Sequence, residues 1–119
     1  VAVNGAVIVN GDRRVTLMIE NQARVLRERD ILQPDEADTP AKRVYLPIMM
    51  MYLHPEGRRG YFAEYERRLT EFASVVETPD ALRTCAALAA HVANGELYKG
   101  LTLCRALIEF EKERLSNVA

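Results

Sequence analysis

Seven cations fall in the first 43 residues: Arg13, Arg14, Arg24, Arg27, Arg29, Lys42 and Arg43. The first five are arginines on a stretch expected to be a sheet or its edge. A guanidinium forks onto phosphate and stacks on an unpaired base, so arginine is the cation best suited to single-stranded nucleic acid. Asp12, Glu20, Glu28, Asp30, Asp35, Glu36 and Asp38 share the region, which is neutral in sum. Internal pairing is therefore the competing reading.

Lys42 and Arg43 are a separate case. They follow Thr39-Pro40, a hydroxyl N-cap with proline at the first helical position. Cations are disfavoured by the dipole at a helix start. Free amides, the Thr39 hydroxyl and these cations would together suit a phosphate. Asp35, Glu36 and Asp38 just upstream could equally neutralise them.

A third feature is apolar. The run from Val44 to Leu53 has no polar face, whereas a surface helix should show one. Methionine adapts to irregular partner surfaces. Tyr45, Ile48, Met49, Met50, Met51 and Tyr52 are accordingly candidates for a partner or homodimer interface, against the alternative of a helix central to the fold.

Enzymatic constellations are missing. His54 and His91 sit in different elements without acidic or cysteine partners at ligand spacing, and no Cys-x-x-Cys or His-Glu-x-x-His string occurs. Gly5 and Gly11 belong to turn dipeptides, not to a phosphate loop opening a helix. The serines, Ser74 and Ser116, have no nucleophile elbow around them. Neither catalysis, a metal nor a cofactor is expected. Cys85 and Cys104 fall on apolar helical positions and read as reduced core thiols, although an interhelical disulfide fits the same spacing. Reduced thiols imply a cytoplasmic protein.

The elements that must position these residues divide near Asp38. Turn dipeptides at Asn4-Gly5 and Asn10-Gly11-Asp12 separate short β-branched runs. Val15, Leu17 and Ile19 alternate with polar neighbours as in a half-buried strand. Asn21-Gln22 then leads to a shorter run around Val25 and Leu26. Together these predict a small antiparallel meander of three or four strands. Four helices should follow. The first spans Thr39 to Leu53, with Pro47 threatening to kink or split it, and a loop at His54–Gly60 ends it. In the next, Tyr61, Phe62, Tyr65, Leu69, Phe72 and Val76 form an apolar stripe, leaving Glu64, Arg67, Arg68 and Glu71 outside. Thr78-Pro79-Asp80 repeats the cap-and-proline start, and Leu82, Cys85, Leu88, Ala89 and Val92 face inward until Asn94-Gly95 stops the helix. Leu97, Leu101, Cys104, Leu107 and Ile108 mark the last. The expected fold is α+β, one domain over 1–119, with a β-rich half at 1–32 and a helical half at 39–119.

Composition agrees with an ordinary globular domain: 119 residues, 49% hydrophobic and 28% charged. The net charge of −1 gives no overall pull on nucleic acid, so any such site must be a local patch. No apolar run approaches the ~20 residues of a membrane span. The chain opens on strand-like Val1-Ala2-Val3 without an initiator Met, and reads as a fragment or processed form.

Several strings carry a family likeness. Asn10-Gly11-Asp12-Arg13-Arg14, Leu26-Arg27-Glu28-Arg29-Asp30-Ile31-Leu32 and Glu36-Ala37-Asp38-Thr39-Pro40-Ala41-Lys42-Arg43-Val44-Tyr45, followed by Met51-Tyr52-Leu53, resemble the FlbT family of flagellum biosynthesis regulators. The likeness resumes at Gly95-Glu96-Leu97-Tyr98-Lys99 and at Arg105 to Glu111. It implies a post-transcriptional regulator acting on the 5′ untranslated leader of flagellin mRNA, altering translation or stability, as repressor or activator. A small FlaF-type protein is the implied protein partner, and flagellin is a further candidate under the adaptor reading. The alternative function is an adaptor that binds such a partner and affects RNA indirectly. Family chains open with about one further strand, whose loss would leave a sheet edge exposed or a strand swapped. Pro47 stands where the family leads one to expect an ordinary helix former.

Overall fold

The computed structural model describes residues 2–3, 6–7 and 25–118. Four α-helices take up most of them: α1 (Pro40–Leu53), α2 (Arg58–Val75), α3 (Pro79–Ala93) and α4 (Leu97–Val118). This overturns the expected α+β fold. Extended pairing among the described residues is limited to three two-residue segments, β1 (Ala2–Val3), β2 (Ala6–Val7) and β3 (Val25–Leu26). β1 lies between the other two, with Ala2 opposite both Val7 and Leu26, so their order is not that of a meander. The expected turn at 10–12, the strand at 13–20 and the turn at 21–22 lie outside the described residues.

α1 begins as its sequence dictates. Thr39 has an extended backbone, and its Oγ1 accepts the Lys42 amide at 3.3 Å, with Pro40 at the first helical position. The helix runs through Pro47 without ending. Pro47 has no N–H, so the Arg43 carbonyl four residues earlier loses its helical donor. The apolar run has no polar face because α1 packs against α2 on one side and α4 on the other, with α3 beyond α4. Helices, not a sheet, cover it. Val44, Ile48 and Met51 are completely buried.

α2 starts at Arg58, inside the expected loop, after a short 3₁₀ turn at Pro55–Gly57. Tyr65 and Phe72 are buried, while Tyr61, Phe62, Leu69 and Val76 pack partly against the core. On the outer face Arg68 binds Glu64 at 2.7 Å and Glu71 at 3.1 Å, and Arg67 also binds Glu64. α3 has Pro79 at its start, but the Thr78 hydroxyl makes no cap hydrogen bond. Leu82, expected inward, is exposed. The stop of α3 follows its sequence signal. Gly95 adopts φ +80°, the Gly95 amide donates to the Val92 carbonyl at 3.0 Å, and the Glu96 amide reaches back to the His91 carbonyl at 2.8 Å. These two bonds close a left-handed Schellman stop, which only glycine enters without strain. α4 buries Leu97, Leu101, Cys104 and Leu107. Gly100 lets it approach α3 closely, since a Cβ there would lie 2.9 Å from Val92 Cγ2.

Cys85 and Cys104 are both buried and free. The Cys104 thiol donates to the Ala41 carbonyl at 3.6 Å. No helix among the described residues is long and apolar enough to cross a membrane.

Candidate functional site

The cations separate into three settings. Arg13, Arg14 and Arg24 lie outside the described residues. Arg27 and Arg29 flank Glu28 at the 3₁₀ turn Glu28–Asp30; both are exposed, and no acid among the described residues pairs with them. Lys42 and Arg43 leave α1 toward different sides. Lys42 faces a depression with Glu28, Arg29, Asp35, Glu36 and Asp38, where acids outnumber cations, and its Nζ lies 3.5 Å from the Asp38 carboxylate. Arg43 faces the other side, toward α2, and has no acidic partner among the described residues. The structure therefore does not gather Lys42 and Arg43 at one anion site.

The start of α1 is already occupied. Pro40 carries no amide hydrogen. The Ala41 amide donates to Glu111 Oε2 of α4 at 3.0 Å, the Lys42 amide to Thr39 Oγ1, and the Arg43 amide to the Thr39 carbonyl at 2.9 Å. A carboxylate from 70 residues away thus fills the position considered for a phosphate. The Thr39 hydroxyl is a cap, not a free ligand.

A polar hub joins the same helix to the segment before it. The Tyr45 hydroxyl donates to the Asp30 carbonyl at 2.6 Å and accepts from Arg105 at 3.3 Å. Arg105 lies 3.6 Å from the Asp30 carboxylate, donates to the Thr102 hydroxyl at 3.3 Å and sits 5.7 Å above the Tyr98 ring centre. Burial pushes the Tyr45 hydroxyl up to about 12, against the opposing pull of Arg105. Sequence reasoning missed Arg105, Asp30 and Glu111 as positioning residues. They meet α1 only through the tertiary fold, and no local spacing announces it.

Of the apolar candidates, Tyr45, Ile48, Met49 and Met51 are core residues at no more than 4% exposure. They cannot form a surface, because α2 and α4 already cover them. Met49 Sδ accepts the Leu32 amide at 3.4 Å, anchoring the preceding segment. Met50 and Tyr52 are half-buried and diverge. Tyr52 stacks obliquely on Tyr98, ring centres 5.8 Å apart, toward α4. Met50 joins Leu46, Pro47, Tyr61, Pro34 and Ala37 in a groove toward α2, rimmed by Arg43, Arg68 and Glu64. Leu46 and Tyr61 were missed as candidates. Leu46 lies in the apolar run, and Tyr61 at the head of the α2 stripe.

Acid–base and nucleophilic chemistry find little to use among the described residues. Burial pushes both cysteine thiols up, which removes the thiolate a nucleophile needs. His91 Nδ1 meets Glu96 Oε1 at 2.7 Å across the stop of α3, an arrangement that closes a helix end. Its hydrogen bond, helped by Lys99, holds the Glu96 carboxyl below the usual range. No group of three His, Cys, Asp or Glu side chains among the described residues could hold a metal ion.

Comparison with known proteins places the chain in a family. No solved structure matches the chain. It is 53% identical over 116 residues to the probable flagellum biosynthesis repressor protein FlbT of Caulobacter sp. (strain K31), covering 98% of this chain and 88% of the relative. It is 51% identical over 116 residues to the flagellum biosynthesis repressor protein FlbT of Caulobacter vibrioides (strain ATCC 19089 / CIP 103742 / CB 15), covering 98% and 82%. Against the probable FlbT repressor of Rhodopseudomonas palustris (strain TIE-1) it is 39% identical over 117 residues, covering 98% and 90%. The model of the family described as flagellar protein FlbT matches residues 1–115. The chain belongs to the FlbT family.

Proposed function

We propose that this protein is a non-enzymatic regulator that represses flagellum biosynthesis by binding the 5′ untranslated leader of flagellin mRNA. The 51% identity to a flagellum biosynthesis repressor over nearly the whole chain carries the regulatory part. For the RNA part the support is local. Arg27 and Arg29 are exposed and unpaired among the described residues, and they continue the arginine-rich stretch that holds Arg13, Arg14 and Arg24. Phosphate neutralisation by such cations releases counterions and makes binding fall steeply with salt. Thr39 and Lys42 drop out of this surface, the first as a helix cap and the second paired with Asp38.

A gel shift with purified protein and flagellin leader RNA alone tests this reading. A shifted complex that weakens with salt, and weakens further in Arg27→Glu/Arg29→Glu, is expected. Absence of a complex without other proteins would move the RNA effect to an indirect route through a protein partner.

A further inference from the structure

The groove between α1 and α2 joins apolar walls to a charged rim. Its walls are apolar: Leu46, Pro47 and Met50 from α1, Tyr61 from α2, and Pro34 with Ala37 from the preceding turn. Its ionisable rim is Arg43, Arg68 and Glu64. Glu64 is already engaged by both Arg67 and Arg68, which hold its carboxyl below the usual range, and Arg68 also binds Glu71. Asp38 is drawn to Lys42, and Glu36 Oε1 accepts the Gln33 amide at 2.9 Å. Arg43 is left exposed and uncompensated among the described residues, so the rim has one surplus positive charge. Beside it, the Arg43 carbonyl lacks the helical donor that Pro47 cannot supply. Apolar walls and a guanidinium unpaired among the described residues lie together at one place, beside a carbonyl whose i+4 donor Pro47 removes.

We infer that this groove receives a segment of a partner protein, with an apolar side chain seated on Leu46, Met50 and Tyr61 and a neighbouring carboxylate on Arg43. Charge complementarity fixes the occupant's sign. A basic segment would meet Arg43 and Arg68, whereas an acidic one relieves the surplus. The apolar walls favour a peptide over RNA, because they offer a phosphate chain nothing to bind. The partner surface thereby moves from the methionine run as a whole to Met50 with its α2 neighbours. Arg43 becomes a protein contact, separate from the proposed RNA surface.

The test uses the full chain to select short random peptides by phage display, followed by NMR with ¹³C-methyl methionine. Selected peptides should pair a large apolar residue with Asp or Glu. They should shift the Met50 methyl ahead of the buried Met49 and Met51 methyls. Arg43→Glu, a substitution at an exposed position, should weaken them about tenfold, and changing the peptide acid to Lys should restore the loss. Leader-RNA binding should be unaffected by Arg43→Glu, which separates this inference from the RNA reading. Failure to select binders, selected peptides without an acid, or affinities indifferent to Arg43→Glu would overturn it. Displacement of the peptide by poly(U) RNA with movement of the Met50 methyl would overturn it in favour of nucleic acid. Concentration-dependent self-association that moves the same methyl would overturn it in favour of a second copy of the chain.

Discussion

The two sides of α1 differ in how far their polar groups are satisfied. Toward α4, the amides at its start are closed by Thr39 and Glu111, and Tyr45, Arg105 and Asp30 complete one another. Toward α2, Arg43 has no acidic partner among the described residues, its carbonyl has lost a helical donor, and apolar side chains stay half-buried. Both sides pack the core, and the second is where we propose that a ligand binds. Conspicuous residue types do not by themselves mark a site: Lys42 and Arg43 are adjacent in sequence yet fall on opposite sides of this division.

Substitutions should break that contrast in a graded way. Ile48→Ala removes a completely buried side chain at the centre of the helix array. Denaturant titration should show a loss of about 2–5 kcal/mol. Glu111→Ala leaves the Ala41 amide without its acceptor at a partly buried helix start. A loss of about 1–2 kcal/mol is expected in the same assay, with Glu111→Gln recovering part of it through its carbonyl oxygen.

Tyr45 supplies a pH signature. Its hydroxyl is raised from the ordinary 10 to about 12 by burial, so the folded state keeps a proton that the unfolded chain gives up first. The contribution is fully present below about pH 10 and disappears as pH rises through about 12. Tyr65, raised likewise to about 12 by burial, acts in the same direction. Alkaline denaturation followed by circular dichroism should therefore steepen over that window, and Tyr45→Phe should flatten it. The smallest effect belongs to the open side. Arg43→Ala should change stability by no more than about 0.5 kcal/mol, because nothing among the described residues pairs with it. A larger loss would mean that Arg43 belongs to the fold after all.

Legibility in the sequence followed the range of the interaction. The start of α1 at Thr39-Pro40 and the stop of α3 at Asn94-Gly95 rest on contacts within a few residues, and both could be read directly. The buried stripe of α4 could be read as well, because helical spacing is itself local. The Glu111 cap joins positions 70 apart, and the Arg105–Tyr45 contact positions 60 apart, so no spacing rule reaches them. The β-branched runs of 1–32 favoured a meander by propensity. What is described of them is three two-residue segments in a different order, beside a mainly helical core to which β3 adds only the buried Leu26. The apolar run of α1 was ambiguous for a physical reason: a helix covered on two sides and a helix awaiting a partner look alike in one dimension. Only the packing separates core Met49 and Met51 from groove-lining Met50.

Direct action on RNA through the arginine-rich segment is proposed and open to a direct test. The most direct measurement is the affinity of the purified chain for flagellin leader RNA across a salt series, with Arg27→Glu/Arg29→Glu and Arg43→Glu beside it. Protein-alone binding is expected, with a negative slope of log affinity on log salt of about 0.7 per phosphate contacted, weaker binding and a shallower slope in the Arg27/Arg29 variant, and unchanged binding in Arg43→Glu. No binding by the protein alone, or binding indifferent to the Arg27/Arg29 reversal, would contradict it.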